Sequence, residues 1–216
     1  PAAMASYGAV LANPVLGTHA DQTVLEDTFY DFDGFAVTYT GGTFLEAIVT
    51  LNDPASGNLV DGGFSGSEIA VQGNLAGINA FLNRLVFQNA ANFSGVASIT
   101  VTVTAYDNGY AQPATGSSSD SFDITVTPVN DAPSGANQTV SLAEDGSYTF
   151  VLGDFALTDV SDTPANALAA VKITTLPAAG TLTNNGSAVM AGDSISAADI
   201  AAGKLVFTPA ANANGA

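Results

Sequence analysis

The chain of 216 residues has no cysteine and no tryptophan, a single histidine, and only three cationic side chains, Arg84, Lys172 and Lys204. Without cysteine there is no disulfide framework and no thiol chemistry. Three cations make no basic stripe to neutralise phosphates, so nucleic acid is excluded as a partner, and anionic membrane surfaces are disfavoured. No apolar run approaches the roughly 18 residues that a membrane span requires. Pro1–Ser6 lacks the basic start of a signal peptide. His19 stands alone, and the chain has no nucleophile elbow, zinc motif or phosphate loop; it is expected not to be an enzyme.

Acid and glycine are abundant. The chain carries 20 acidic residues for a net charge of -17, together with 22 glycines. Apolar and polar residues alternate over many short stretches, which marks strands with one buried face, so the chain reads as all-β. In Ser98–Pro133 two alternating runs flank a polar tip. The first ends at Asp107-Asn108-Gly109 and the second runs into Val129-Asn130-Asp131-Ala132-Pro133. Seven strands are expected near 21–26, 35–39, 45–51, 67–72, 84–88, 97–106 and 121–128. Helical spacing over Gly77–Leu82 predicts one helical turn, with a counterpart at Ala197–Ala202. Asn185-Gly186 predicts a two-residue hairpin, and Asn52-Asp53-Pro54 a turn. Asp120 and Asp123 are expected to face solvent.

The chain repeats itself. Gln22-Thr23-Val24 returns at Gln138-Thr139-Val140, and Glu26-Asp27 at Glu144-Asp145. Phe35-Ala36 returns at Phe155-Ala156 and Leu85-Val86-Phe87 at Leu205-Val206-Phe207, both 120 residues on. Recurrence at a fixed interval is the mark of a tandem array. Residues 1–17 read as a leader or incoming linker, 18–129 as the first repeat, 130–133 as a linker and 134–216 as a second repeat. That second repeat stops before its last two strands, so the sequence reads as an excerpt whose second sandwich is the less stable.

"AYDNG" followed by "VNDAP" resembles the end of a cadherin repeat. "VTPVNDAP", "LAEDGSYTF" and "GKLVFTPAANANG" resemble the cadherin-like repeats of large bacterial surface proteins, including repeats-in-toxin adhesins. The resemblance covers nearly all of 18–216. It implies tandem antiparallel β-sandwiches of cadherin or immunoglobulin-like Greek-key type, secreted or on the bacterial cell surface, stiffened by Ca2+ and supporting adhesion. The implied partners are neighbouring repeats of the same chain and a surface glycan or protein receptor.

Residue by residue, the resemblance implies a calcium site from Glu26, Asn130, Asp131, Asp159 and Asp162, with a carbonyl from Asn92. Glu26 would then lie antiparallel to the end of the last strand of its repeat. The linker reads Asn-Asp-Ala-Pro and is shorter in ligands than the full cadherin motif, so one or two ions are expected. At the front of the first repeat Tyr39 and Gly42 replace the aspartate pair, leaving Asp107 a poorly supplied half-site. An alternative is a carbohydrate-binding module with Tyr106 and Tyr110 holding a sugar, which the absence of tryptophan disfavours.

Overall fold

The computed structural model describes residues 12–41, 44–106, 114–143 and 145–213. The chain divides into two compact units, Pro1–Val129 and Asn130–Ala216. Both are all-β, each with one short α-helix and one 3-10 turn among the described residues.

The first unit holds β1 (Val15–Leu16), β2 (Gln22–Leu25), β3 (Phe29–Asp31), β4 (Val37–Thr38), β5 (Phe44–Leu51), β6 (Gly57–Asp61), β7 (Phe64–Gly66) and β8 (Glu68–Gly73). Helix α1 (Leu75–Leu82), β9 (Val86–Asn89), β10 (Gly95–Tyr106) and β11 (Ala114–Thr127) follow. A five-stranded sheet has the order β2-β11-β10-β5-β8, and a four-stranded sheet the order β3-β9-β6-β7. The alternation explains the packing. Leu45, Ala47, Val49 and Leu51 of β5, Ala97 to Ala105 at every second place of β10, and Phe122, Ile124 and Val126 of β11 are all buried. With Leu59 and Phe87 from the other sheet they form one core, which is the sandwich packing of two inner faces.

Helix α1 closes one end. Asn74 Oδ1 accepts the Gly77 N–H at 2.9 Å as its N-cap, and Ile78, Phe81 and Leu82 point into the core. The Asn79 amide bonds both the N–H and the carbonyl of Val37, at 2.8 and 3.0 Å, pinning β4 to the helix. Asp61, which is buried, receives a two-pronged ion pair from Arg84 at 2.6 and 2.9 Å.

Several features depart from the sequence reading, and β1 and β3 lie outside the seven expected strands. The hairpin β6–β7 was not expected; Gly62 and Gly63 supply its left-handed turn, and β6 buries Gly57, Leu59 and Asp61, of which only Leu59 is a large apolar residue. Strand β11 begins at Ala114, because its Ser-rich stretch pairs with β10 (Ser117 opposite Thr104, Ser119 opposite Thr102). Finally, Asp120 shares the inward parity of Phe122 and does not face open solvent. Its Oδ2 accepts the His19 N–H at 2.7 Å. His19 itself stacks on Phe35 with centroids 4.1 Å apart and meets the Tyr30 hydroxyl at 2.8 Å, so it is a packing residue.

The second unit holds β12 (Ser134–Gly135), β13 (Tyr148–Thr149), β14 (Leu157–Thr158), β15 (Ala170–Lys172), β16 (Gly180–Asn184), β17 (Ser187–Ala188), β18 (Ser194–Ser196), α2 (Ala197–Ala201) and β19 (Leu205–Pro209). It reproduces the register of the first. Tyr30 opposite Phe87 becomes Tyr148 opposite Phe207, and Leu59 opposite Phe87 becomes Leu182 opposite Phe207. Helix α2 is again capped at its start, by Ser196 Oγ on the Asp199 N–H at 3.0 Å. Asn185 and Gly186 both have positive φ, 51° and 78°, as the expected hairpin turn requires. The core is smaller: Leu182, Val189, Ile195, Ile200 and Leu205 are buried, while Phe150, Phe155, Val171, Ile173 and Phe207 are only partly covered.

Candidate metal centre

The second unit opens with Asn130 and Asp131, followed by the short pair β12–β14. Strand β14 ends at Thr158 and releases the loop Asp159–Asn166, rich in residues that favour turns. This loop folds back on the opening segment. Asp131 donates its N–H to both carboxylate oxygens of Asp162, at 3.1 and 3.2 Å. Asn130 turns its own amide onto the Asp131 carbonyl at 2.9 Å.

Asn166 ties the group together. Its backbone N–H reaches Asp159 Oδ2 at 2.6 Å. Its side-chain Nδ2 donates to Asn130 Oδ1 at 3.0 Å and to Asp162 Oδ2 at 2.9 Å. Oxygens from two separate segments thus converge on one electropositive nitrogen. One carboxylate oxygen of Asp131 and one of Asp162 lie within 4.8 Å of each other, and both residues are half-buried.

The electrostatics are those of a cluster short of positive charge. The Asn166 N–H holds the Asp159 carboxyl below its ordinary value of 3.8, against the opposing effect of burial. The other oxygen of Asp159, Oδ1, is buried and makes no well-formed hydrogen bond among the described residues, although the Asp162 N–H and the Asn166 amide lie close enough to help hold the carboxyl low. A buried carboxylate oxygen without a well-placed donor carries a desolvation cost that a hydrogen bond or a cation relieves. Three carboxylates, an amide oxygen and nearby backbone carbonyls are the hard oxygen donors that calcium or magnesium takes.

Of the residues singled out in the sequence, Asn130, Asp131, Asp159 and Asp162 therefore come together within this unit. Glu26 belongs to the first unit. It is buried just after β2, donates its N–H to the Thr127 carbonyl at 2.9 Å, and accepts the Val129 N–H on Oε1 at 2.5 Å. Strand β2 runs parallel to β11, with Gln22 opposite Ile124 and Leu25 opposite Thr127. The antiparallel placement expected for Glu26 is thus corrected: alternation reveals which face of β2 is buried, not which way its partner runs. Asn92 takes a left-handed turn with φ 57°, as Asn212 does with φ 58°.

Asp107 and Tyr110 lie outside the described residues. Tyr106 ends β10 and donates its hydroxyl to Glu46 at 3.0 Å; burial and that bond both raise its pKa above 10.0. Asp154 and Asp193 serve as turn formers, accepting the Val151 and Met190 N–H groups at 2.8 Å each. Asn166 was not legible, since a lone amide after Thr163-Pro164-Ala165 looks like any turn residue. No protein-family model and no curated protein matches the chain. The oxygen cluster stands on its own geometry.

Proposed function

We propose that the chain is a pair of cadherin-like repeats from a secreted or surface-bound bacterial protein, in which calcium stiffens the array and supports adhesion. It is a spacing and binding module, not an enzyme. The observation that carries the reading is the convergence of Asn130, Asp131, Asp159 and Asp162 around the Asn166 amide, with an Asp159 oxygen that is buried and makes no well-formed hydrogen bond.

Calcium supplies a compact double charge that takes six to eight oxygens at 2.3–2.6 Å. The chain's own residues do the rest. Asp131 and Asp162 bring charge from two segments, Asp159 closes the loop, and Asn130 offers its amide oxygen in place of the hydrogen bond it now receives from Asn166. Glu26 joins the reading through the chain itself: its carboxylate is bonded to Val129, the residue immediately before Asn130. The net charge of -17 is consistent with an environment rich in divalent cations.

A thermal melt with and without calcium tests this. A ligand at about a hundred times its dissociation constant adds about 2.7 kcal/mol of stability. The midpoint rises in calcium, and Asp131→Ala removes most of the rise. A midpoint unchanged in millimolar calcium overturns the reading.

A further inference from the structure

The first unit has a second feature that its fold does not require. A cavity of about 170 Å³ opens where β2 turns into β3 beside the end of β9, lined by Asp27, Thr28, Phe29, Gln88, Asn89 and Ala91. Phe29 is 63% exposed although it is a large apolar ring. It stands directly opposite Gln88 in the β3–β9 ladder, so ring and amide share one face as cross-strand neighbours.

The frame around the cavity is fixed. Asp27 adopts the left-handed φ of 60°. Thr28 Oγ1 donates to the Leu25 carbonyl at 2.5 Å, and buried Asn89 donates to the same carbonyl at 3.3 Å.

The internal repeat separates scaffold from function. In the second unit the same turn is kept, with Asp145 at φ 59°. Yet Ser147 stands where Phe29 does, and Thr208 and Pro209 stand where Gln88 and Asn89 do. The turn and the two inner rungs of the ladder therefore form without the aromatic ring and without either amide, while the rung matching Phe29–Gln88 is unpaired in the second unit. What the first unit adds is one exposed aromatic face and two amides that both donate and accept, beside a carboxylate that both units keep, as Asp27 and Asp145.

That combination has a defined complement. The ring suits the apolar C–H face of a sugar, while amides and a carboxylate suit its hydroxyl groups. The lining has no cation, which disfavours phosphate and acidic sugars, and a single carboxylate is too few for calcium. The volume is below the roughly 300 Å³ at which sites for drug-sized ligands begin, which fits one small ring. We propose that this cavity is a binding site for a neutral hexopyranose.

Chemical-shift titration of the whole chain with the methyl glycosides of galactose, glucose and mannose, up to about 100 mM, tests this; millimolar affinity is about −4 kcal/mol. At least one sugar is expected to shift the amides of Phe29 and Asn89 saturably. Phe29→Ser, which installs the second unit's residue at an exposed place, weakens binding at least tenfold, and Gln88→Thr weakens it as well. No shift with any of the three sugars, shifts that survive Phe29→Ser, or equal binding of methyl glucuronide each overturn the proposal. Asp131→Ala leaves sugar binding unchanged, so the outcome is independent of the calcium reading.

Discussion

Phe155 stands 120 residues after Phe35 in the same turn of the repeat, yet Phe35 is 3% exposed and Phe155 is only partly covered. The cause is what lies above each ring. Phe122 of β11 packs against Phe32 and Phe35 with centroids 5.8 and 5.7 Å away, whereas Phe155 has Phe150 beside it at 5.8 Å. The same holds for Phe87 and Phe207, buried in one unit and half-buried in the other.

Burying a large apolar side chain is worth about 1.5–3 kcal/mol, so several half-covered rings make a large difference. The second unit is expected to open first. Native-state hydrogen exchange checks this: amides of β16 and β19 exchange faster than those of β5 and β10. Equal protection in both units would refute the argument from ring coverage.

Glycine is required at two matched strand starts. Gly57 has φ 154°, and a Cβ there would overlap the Gln88 carbonyl oxygen; Gly180 has φ 144°, and a Cβ would sit 2.6 Å from both the Thr208 carbonyl and the Phe207 ring. Substitution by alanine combines backbone strain with a backbone clash, each costing on the order of 1–3 kcal/mol. Gly57→Ala and Gly180→Ala each destabilise their own unit by about 2 kcal/mol or more in denaturant titration. Gly62→Ala, with nothing near its Cβ, costs less.

Asn166 and Asp162 separate support from ligation. Asn166 organises the loop through donors only, so Asn166→Ala costs about 1 kcal/mol per lost bond without calcium. It changes calcium affinity less than tenfold in calorimetric titration. On the proposed calcium reading, Asp162→Asn removes one negative charge from the oxygen set and lowers affinity more than tenfold. The reverse order would assign the ligand role wrongly.

Acid should loosen the same loop. The Asp159 carboxyl titrates below its ordinary 3.8 in the folded chain, so its contribution is complete above the unfolded value. It is lost as pH falls through the lowered folded value. Stability of the second unit, followed by the amide signals of β16, drops below about pH 4. Asp159→Asn, which has no carboxyl to titrate, shows a shallower drop.

Much of this was legible from residues alone. The 120-residue interval at Phe35/Phe155 and Leu85/Leu205 announced the duplicated register, Asn185-Gly186 announced its hairpin, and the spacing in Gly77–Leu82 announced α1 (Leu75–Leu82). Four oxygen-bearing residues, Asn130, Asp131, Asp159 and Asp162, were singled out from a family resemblance and lie together in the fold. What escaped has physical causes. Strand β6 buries a glycine and an aspartate beside Leu59 and so carries little apolar pattern, Asp120 bonds a distant backbone group at His19, and the bridging of Asn166 depends on loop closure that no local pattern encodes.

The parallel pairing of β2 with β11 bears on how the first unit resists being pulled. In this arrangement Gln22, where β2 begins, and Thr127, where β11 ends, lie at opposite ends of the ladder. Tension applied through the chain ends therefore slides the two strands past each other, loading all their hydrogen bonds in shear at once. An antiparallel pair would unzip one bond at a time. Along that axis the β2–β11 ladder resists as one unit, in series with the short antiparallel β1–β4 pair that precedes it in the chain.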